Sequence, residues 1–142
     1  MESAFWDSSA LVPLCVQQRS SLAVRRMIAN YRIVVWWSTS LEMHSAFARL
    51  QRMKQLSPDQ HAAAGRRLEQ LRETWREMQP TQSIRRQAES LVDRFPLKAA
   101  DSLQLAAALA WCSGSASGRV FISGDRQLLD AAAQLGFRAI EA

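Results

Sequence analysis

The chain has 142 residues, 48% of them hydrophobic and 22% charged, which is the size and composition of one globular domain, 1–142, rather than of a disordered chain. No apolar run reaches the roughly 18 residues a membrane helix needs, and the Met1-Glu2-Ser3 start has neither the basic nor the apolar region of a secretory signal, so a cytoplasmic protein with no membrane partner is expected. The net charge is +5, and every basic residue except Lys54 and Lys98 is an arginine. Its planar fork matches phosphate oxygens, so nucleic acid or another phosphate-bearing or acidic partner stands as one reading and solvated helix faces as the other.

Ala4-Phe5-Trp6 reads as a short first strand ending at Asp7. Apolar residues at helical spacing (Leu11, Leu14, Cys15) predict a helix over 8–18, with Pro13 tolerable only in a first turn. A second helix is predicted over 22–30. Ile33-Val34-Val35-Trp36-Trp37 is a continuous β-branched and aromatic run, the pattern of a strand buried on both faces. Ser38-Thr39-Ser40 ends it and starts a helix to about Lys54. Ser57-Pro58-Asp59 is a strong helix start, with Ser57 as N-cap and Pro58 at the first helical position. That helix is read to about Glu77, which puts Arg72 and Arg76 at pairing distance from Glu69, Glu73 and Glu77. Met78-Gln79 reads as a short edge strand, and Thr81 to Arg94 as a helix broken by Phe95-Pro96. A helix rich in alanine and leucine follows from Ala99 to Cys112, then a small-residue loop from Gly114 to Gly118. Arg119 to Ser123 is a strand, Arg126 to Leu135 a helix capped by Gly136, and Arg138-Ala139-Ile140 a last strand.

Alternating strands and helices imply an α/β fold: a three-layer α/β/α sandwich around a mostly parallel sheet of four to five strands. Cys15 and Cys112 lie far apart among apolar neighbours, outside any Cys-x-x-Cys pattern, and read as reduced, buried thiols.

Asp7, Glu42 and Asp125 stand at strand-to-helix junctions, which share the carboxyl edge of a parallel sheet, where open α/β sheets bind ligands. Asp101 sits in the first turn of an apolar helix. Each acid has an ordinary use as well. Asp7 and Asp125 can be N-caps, Thr39-x-x-Glu42 has capping-box spacing, and Asp101 suits a helix dipole. Capping alone, however, gives no reason for all of them to meet at one edge. If they do meet, like charges repel unless some protonate or a cation joins them. Oxygen-only donors favour Mg²⁺ or Mn²⁺ over zinc. A cation held this way lowers the pKa of its water and suits phosphodiester hydrolysis. His44 points to a different helix face from Glu42, and His61 lies in a surface helix.

These residues resemble the PIN-domain family and, within it, the VapC-like toxins of bacterial toxin–antitoxin pairs. Trp6 to Leu14 is similar to the family's first strand and acid. Thr39-Ser40-Leu41-Glu42 with Ala46 and Leu50 is similar to the second acid on a helix start. Lys98 to Ala106 around Asp101 is similar to the third, and Val120 to Leu129 around Asp125 to the fourth. The resemblance covers essentially the whole chain. It implies a Mg²⁺- or Mn²⁺-dependent endoribonuclease acting on RNA, often a homodimer, neutralised by a cognate VapB-like antitoxin. It also implies Asp7, Asp101 and Asp125 as metal ligands, directly or through water, with Glu42 as a further ligand or as the group orienting the attacking water. Ser8 and Ser123 match hydroxyl positions that could hold the carboxylates; ordinary turn chemistry is the commoner use of such serines. Trp6 is bulkier than the usual residue before the first acid, Ser8 and Gly124 are mild changes, and Trp36-Trp37 is unusual at a strand end. The tryptophan pair suits core, a dimer face or an antitoxin groove, with core the use expected of at least one. No acid is missing.

Two alternatives stand beside the toxin. One is an RNA-processing nuclease of the same fold without an antitoxin. The other is a non-catalytic RNA- or protein-binding module whose acids only cap helices. A DNA-binding regulator would need an exposed recognition helix, and no segment offers one. Arg49 to Lys54 and Arg85-Arg86 are candidate RNA contacts or solvated faces.

Overall fold

In a computed structural model describing residues 1–142, five strands form one sheet in the order β3-β2-β1-β4-β5. They are β1 (Glu2–Trp6), β2 (Tyr31–Trp36), β3 (Arg76–Met78), β4 (Val120–Ser123) and β5 (Arg138–Glu141). All four neighbouring pairs are parallel. The helices are α1 (Ser8–Cys15), α2 (Ser21–Ile28), α3 (Thr39–Arg52), α4 (Pro58–Arg72), α5 (Gln82–Arg94), α6 (Ala99–Trp111) and α7 (Arg126–Gln134). No helix is long and apolar enough to cross a membrane.

The period-two alternation of a strand sorts the core into two halves. Phe5, Val34, Trp36 and Phe121 face one side, where α5, α6 and α7 supply Leu91, Leu105 and Leu128. Ala4, Trp6, Ile33, Val35 and Ile122 face the other, packed by α1 to α4 through Leu11, Val24, Met43, Phe47 and Leu68. This is the three-layer α/β/α architecture expected from the alternating pattern. The buried central strands carry apolar residues on both faces, as parallel strands covered by helices must. Phe5 stacks on Phe121 with ring centroids 5.6 Å apart, tying the two central strands together.

Several boundaries follow local chemistry. Ser57 and Gln60 form a reciprocal capping box at the start of α4, with Pro58 at the helix entry. Gly136, at φ +104°, follows α7. Its amide donates to Ala133 O and that of Phe137 to Ala132 O, a Schellman closure that an L side chain would strain. Cys15 and Cys112 are free and buried, as expected.

Other boundaries differ from the sequence reading. Helix α4 stops at Arg72 rather than near Glu77. The Thr74 hydroxyl donates to Leu71 O at 2.8 Å, closing the last turn, and Arg76–Met78 then pairs with the edge of β2. Of the intrahelical pairs expected there, only Arg72–Glu69 forms. The edge strand therefore begins at Arg76 and does not include Gln79. Pro13 lies in the second turn of α1, not the first, where it withholds an N–H from the Ser9 carbonyl. Helix α1 ends soon afterwards, at Cys15 rather than Gln18. Strand β2 stops at Trp36, which is buried, and Trp37 turns outward at 52% exposure.

Candidate active site

Each acid is placed by an element that the local sequence dictates. Asp7 ends β1 and precedes α1, yet its side chain makes no capping bond to that helix. Its Oδ2 instead accepts from Ser9 Oγ at 2.5 Å and Ser123 Oγ at 2.9 Å. The residue is only 3% exposed. Oδ1 takes no hydrogen bond from the protein and is free to meet a ligand. Burial pushes the Asp7 carboxyl up to about 6, against the pull of the two serine hydroxyls, and the charges of Glu42 and Asp101 push in the same direction.

Glu42 lies in the first turn of α3. The capping box with Thr39 does not form: the N-cap residue is Ser38, and Thr39 is buried inside the helix. Glu42 Oε1 accepts from Ser8 Oγ at 3.0 Å and Oε2 from Ser38 Oγ at 2.6 Å. Gln104 Nε2, reaching across from α6, lies 3.2 Å from Oε1 and 3.3 Å from Oε2. The carboxylate is held from α1, α3 and α6 at once.

Asp101 is half-buried at the start of α6. Burial raises its pKa first, then the charges of Asp125 and Glu42, with Lys98 opposing them. Asp125 does act as an N-cap, its Oδ1 accepting from Leu128 N at 3.2 Å. A cap and a site residue are not exclusive, because Oδ2 remains uncommitted. Ser123 ties both ends of the site together. Its hydroxyl donates to Asp7 and accepts from the amide of Asp125 at 2.9 Å.

The structure thus brings the four sequence-derived acids within electrostatic range of one another at the carboxyl edge of β1, β2 and β4. Neither salt bridge in the molecule neutralises any of them. Ser8 and Ser123 hold carboxylates rather than merely shaping turns. Ser9, Ser38 and Gln104 were not singled out from the sequence. Ser9 and Ser38 flank acids in the ordinary dress of helix starts, and nothing one-dimensional ties Gln104 to a residue 62 positions away. Its Oε1 is buried without a partner, a cost tolerated where the amide is needed as a donor. His44 stays away from the acids, exposed, its ring edge-on to Phe47.

No protein-family profile matches the chain, and no curated protein does. Solved structures do. A toxin–antitoxin complex from Klebsiella pneumoniae superposes with a TM-score of 0.62 at 16% identity, over 88% of this chain and 89% of that one. A protein of Pyrobaculum aerophilum gives 0.65 at 21% identity, over 99% and 89%. FitAcB from Neisseria gonorrhoeae gives 0.65 at 14% identity, over 97% and 96%. What this chain shares with them is the fold. The match runs through nearly the whole length of each.

Proposed function

We propose that the chain is a Mg²⁺- or Mn²⁺-dependent endoribonuclease, the toxin of a VapBC-type toxin–antitoxin pair. The observation that carries this reading is the meeting of Asp7, Glu42, Asp101 and Asp125 at one sheet edge with none of them in a salt bridge and only the Lys98 charge near Asp101 to offset their repulsion. Such an arrangement is unfavourable by itself and favourable around a divalent ion. The oxygen-only donor set fits a hard cation. No three Asp, Glu, His or Cys side chains close on one point tightly enough to cage it. Mg²⁺ does not require a cage: it is commonly held by one or two carboxylates, its own waters and a substrate phosphate.

In this reading Asp7 Oδ1, Asp101 and Asp125 are the ligands, directly or through water. Ser9 and Ser123 fix the rotation of the Asp7 carboxylate, and Ser8, Ser38 and Gln104 fix that of Glu42. Glu42 then orients the attacking water or contributes a further ligand. When bound, the metal lowers the pKa of that water and stabilises the charge on the phosphate in the transition state. The antitoxin is proposed because a structure of the same fold is a toxin–antitoxin complex, and because an acidic cleft is readily blocked by an inserted basic segment. A homodimer belongs to the same reading. Trp37 and Leu41, 52% and 69% exposed, are apolar side chains that either partner would cover.

The test is cleavage of total RNA by purified protein with Mg²⁺ or Mn²⁺, with EDTA, and in the Asp7→Asn and Asp101→Asn variants. Metal-dependent cleavage that both folded variants lose is the expected result. Absence of cleavage together with absence of calorimetric Mg²⁺ or Mn²⁺ binding would replace the nuclease with a binding module whose acids serve only the fold.

A further inference from the structure

Two cavities lie on the α1–α4 side of the sheet, the first beside Glu42 and the second farther along α1. The first, about 400 Å³, starts at Ser8, Ser9 and Glu42 and runs past Ser45 to Arg49 and Gln18. Glu42, Ser45 and Arg49 are spaced i, i+3 and i+7, so they form one stripe along α3, rising roughly 10 Å from the carboxylate to the arginine. The second, about 300 Å³, is lined by Cys15, Gln17, Arg25, Gln55 and Arg67 among others, and by no acid. Gln17 and Gln18, adjacent in the loop after α1, border one cavity each. Arg67 Nη1 donates to the Cys15 carbonyl at 2.8 Å, which sets its guanidinium at the wall. Arg25 reaches Gln17 Oε1 at 3.5 Å. None of Arg25, Arg49 and Arg67 is paired with a carboxylate.

We infer that this seam is the path of a single-stranded RNA leaving the acidic site. Arg49 holds a phosphate neighbouring the scissile one, and Arg25 and Arg67 hold phosphates further along. This rests on the nuclease reading. Guanidinium forks match phosphate oxygens, while the amides of Gln17, Gln18 and Gln55 offer donors and acceptors to bases and ribose without demanding one sequence. The sign of the charge changes once along the groove, from the carboxylates that would hold a cation to the arginines that would hold the chain. A strand placed along it therefore puts one phosphodiester at the acids and the next ones on arginine.

The test measures binding of a labelled single-stranded oligoadenylate in EDTA across a salt series, and Mg²⁺-dependent cleavage of the same probe. The proteins are the parent chain, Arg49→Gln, the Arg49→Gln/Arg25→Gln double variant, and an Arg94→Gln/Arg138→Gln control. The control removes the same charge from the end of α5 and from the edge strand β5, outside both cavities. Arg49 and Arg25 are exposed and belong to no salt bridge, so both variants are expected to melt within a degree or so of the parent. The log–log salt slope should become shallower by about 0.7 for Arg49→Gln and about 1.4 for the double variant, the value per phosphate for single strands. KM for cleavage should rise while kcat holds, and the control should match the parent. Parent binding and cleavage with all variants equal to the control would overturn this path and leave the nuclease reading standing. No metal-dependent cleavage by the parent would overturn both. Loss of binding to a polyglutamate peptide with RNA binding intact would assign the groove to a protein partner instead.

Discussion

Replacing Asp7 with Asn removes a charge that the fold opposes. The carboxyl is buried and its pKa is raised from 3.8 to about 6. A folded-state pKa above the unfolded one means that the native state keeps its proton longer, so stability is greatest below the unfolded value and falls as pH rises through the folded one. A shift of about two units corresponds to about 3 kcal/mol, lost between roughly pH 4 and pH 7. The asparagine carries no such penalty. Its carbonyl can still accept from Ser9 and Ser123, at a cost of about 1 kcal/mol for trading a charged acceptor for a neutral one. In EDTA, Asp7→Asn should therefore be about 2 kcal/mol more stable than the parent at pH 8, and equal or slightly less stable at pH 4.5. Urea unfolding at several pH values, with matching m-values, measures this directly. Under the proposed function, added Mg²⁺ should raise the parent's midpoint and leave the variant's unchanged, because a ligand that binds only the folded parent stabilises it by mass action. A variant less stable than the parent at pH 8, or a stability difference that does not change with pH, would show that the Asp7 carboxylate is not held in the folded state at the expense of stability.

Ser123→Ala takes one donor from Asp7 and the acceptor from the Asp125 amide; metal affinity read by calorimetry should fall about 10–100-fold while the far-UV spectrum is unchanged. Thr81→Ala removes the cap on Ile84 N and should cost about 1 kcal/mol in urea unfolding without altering cleavage. Burial pushes the Cys15 thiol up to about 12 and raises that of Cys112, so neither should react with a thiol reagent at pH 8 until the protein is unfolded, when both should. Rapid labelling of the native protein would contradict the packing around α1 or the C-terminal end of α6.

The order of the elements, the two-faced burial of β2, the N-cap at Ser57 and the C-cap at Gly136 are legible in the sequence, because each depends on neighbours within a few residues. Three of the acids, Asp7, Glu42 and Asp125, are legible as residues at strand-to-helix junctions that a parallel sheet must bring to one edge, and Asp101 as an acid in the first turn of an apolar helix. What each acid does there is not. Asp7 and Asp125 look alike in sequence, yet Asp125 caps its helix while Asp7 turns to Ser9 and Ser123, since only Asp7 lies beneath the β4 hydroxyl. Glu42 has capping-box spacing from Thr39 and is held instead by Ser8, Ser38 and Gln104, which come together only when α1, α3 and α6 pack. The end of α4 and the outward turn of Trp37 likewise depended on pairing between β2 and β3. Local hydrogen bonds and periodicity are encoded within a turn or two of chain; partners across the sheet are chosen by packing, which no single segment specifies.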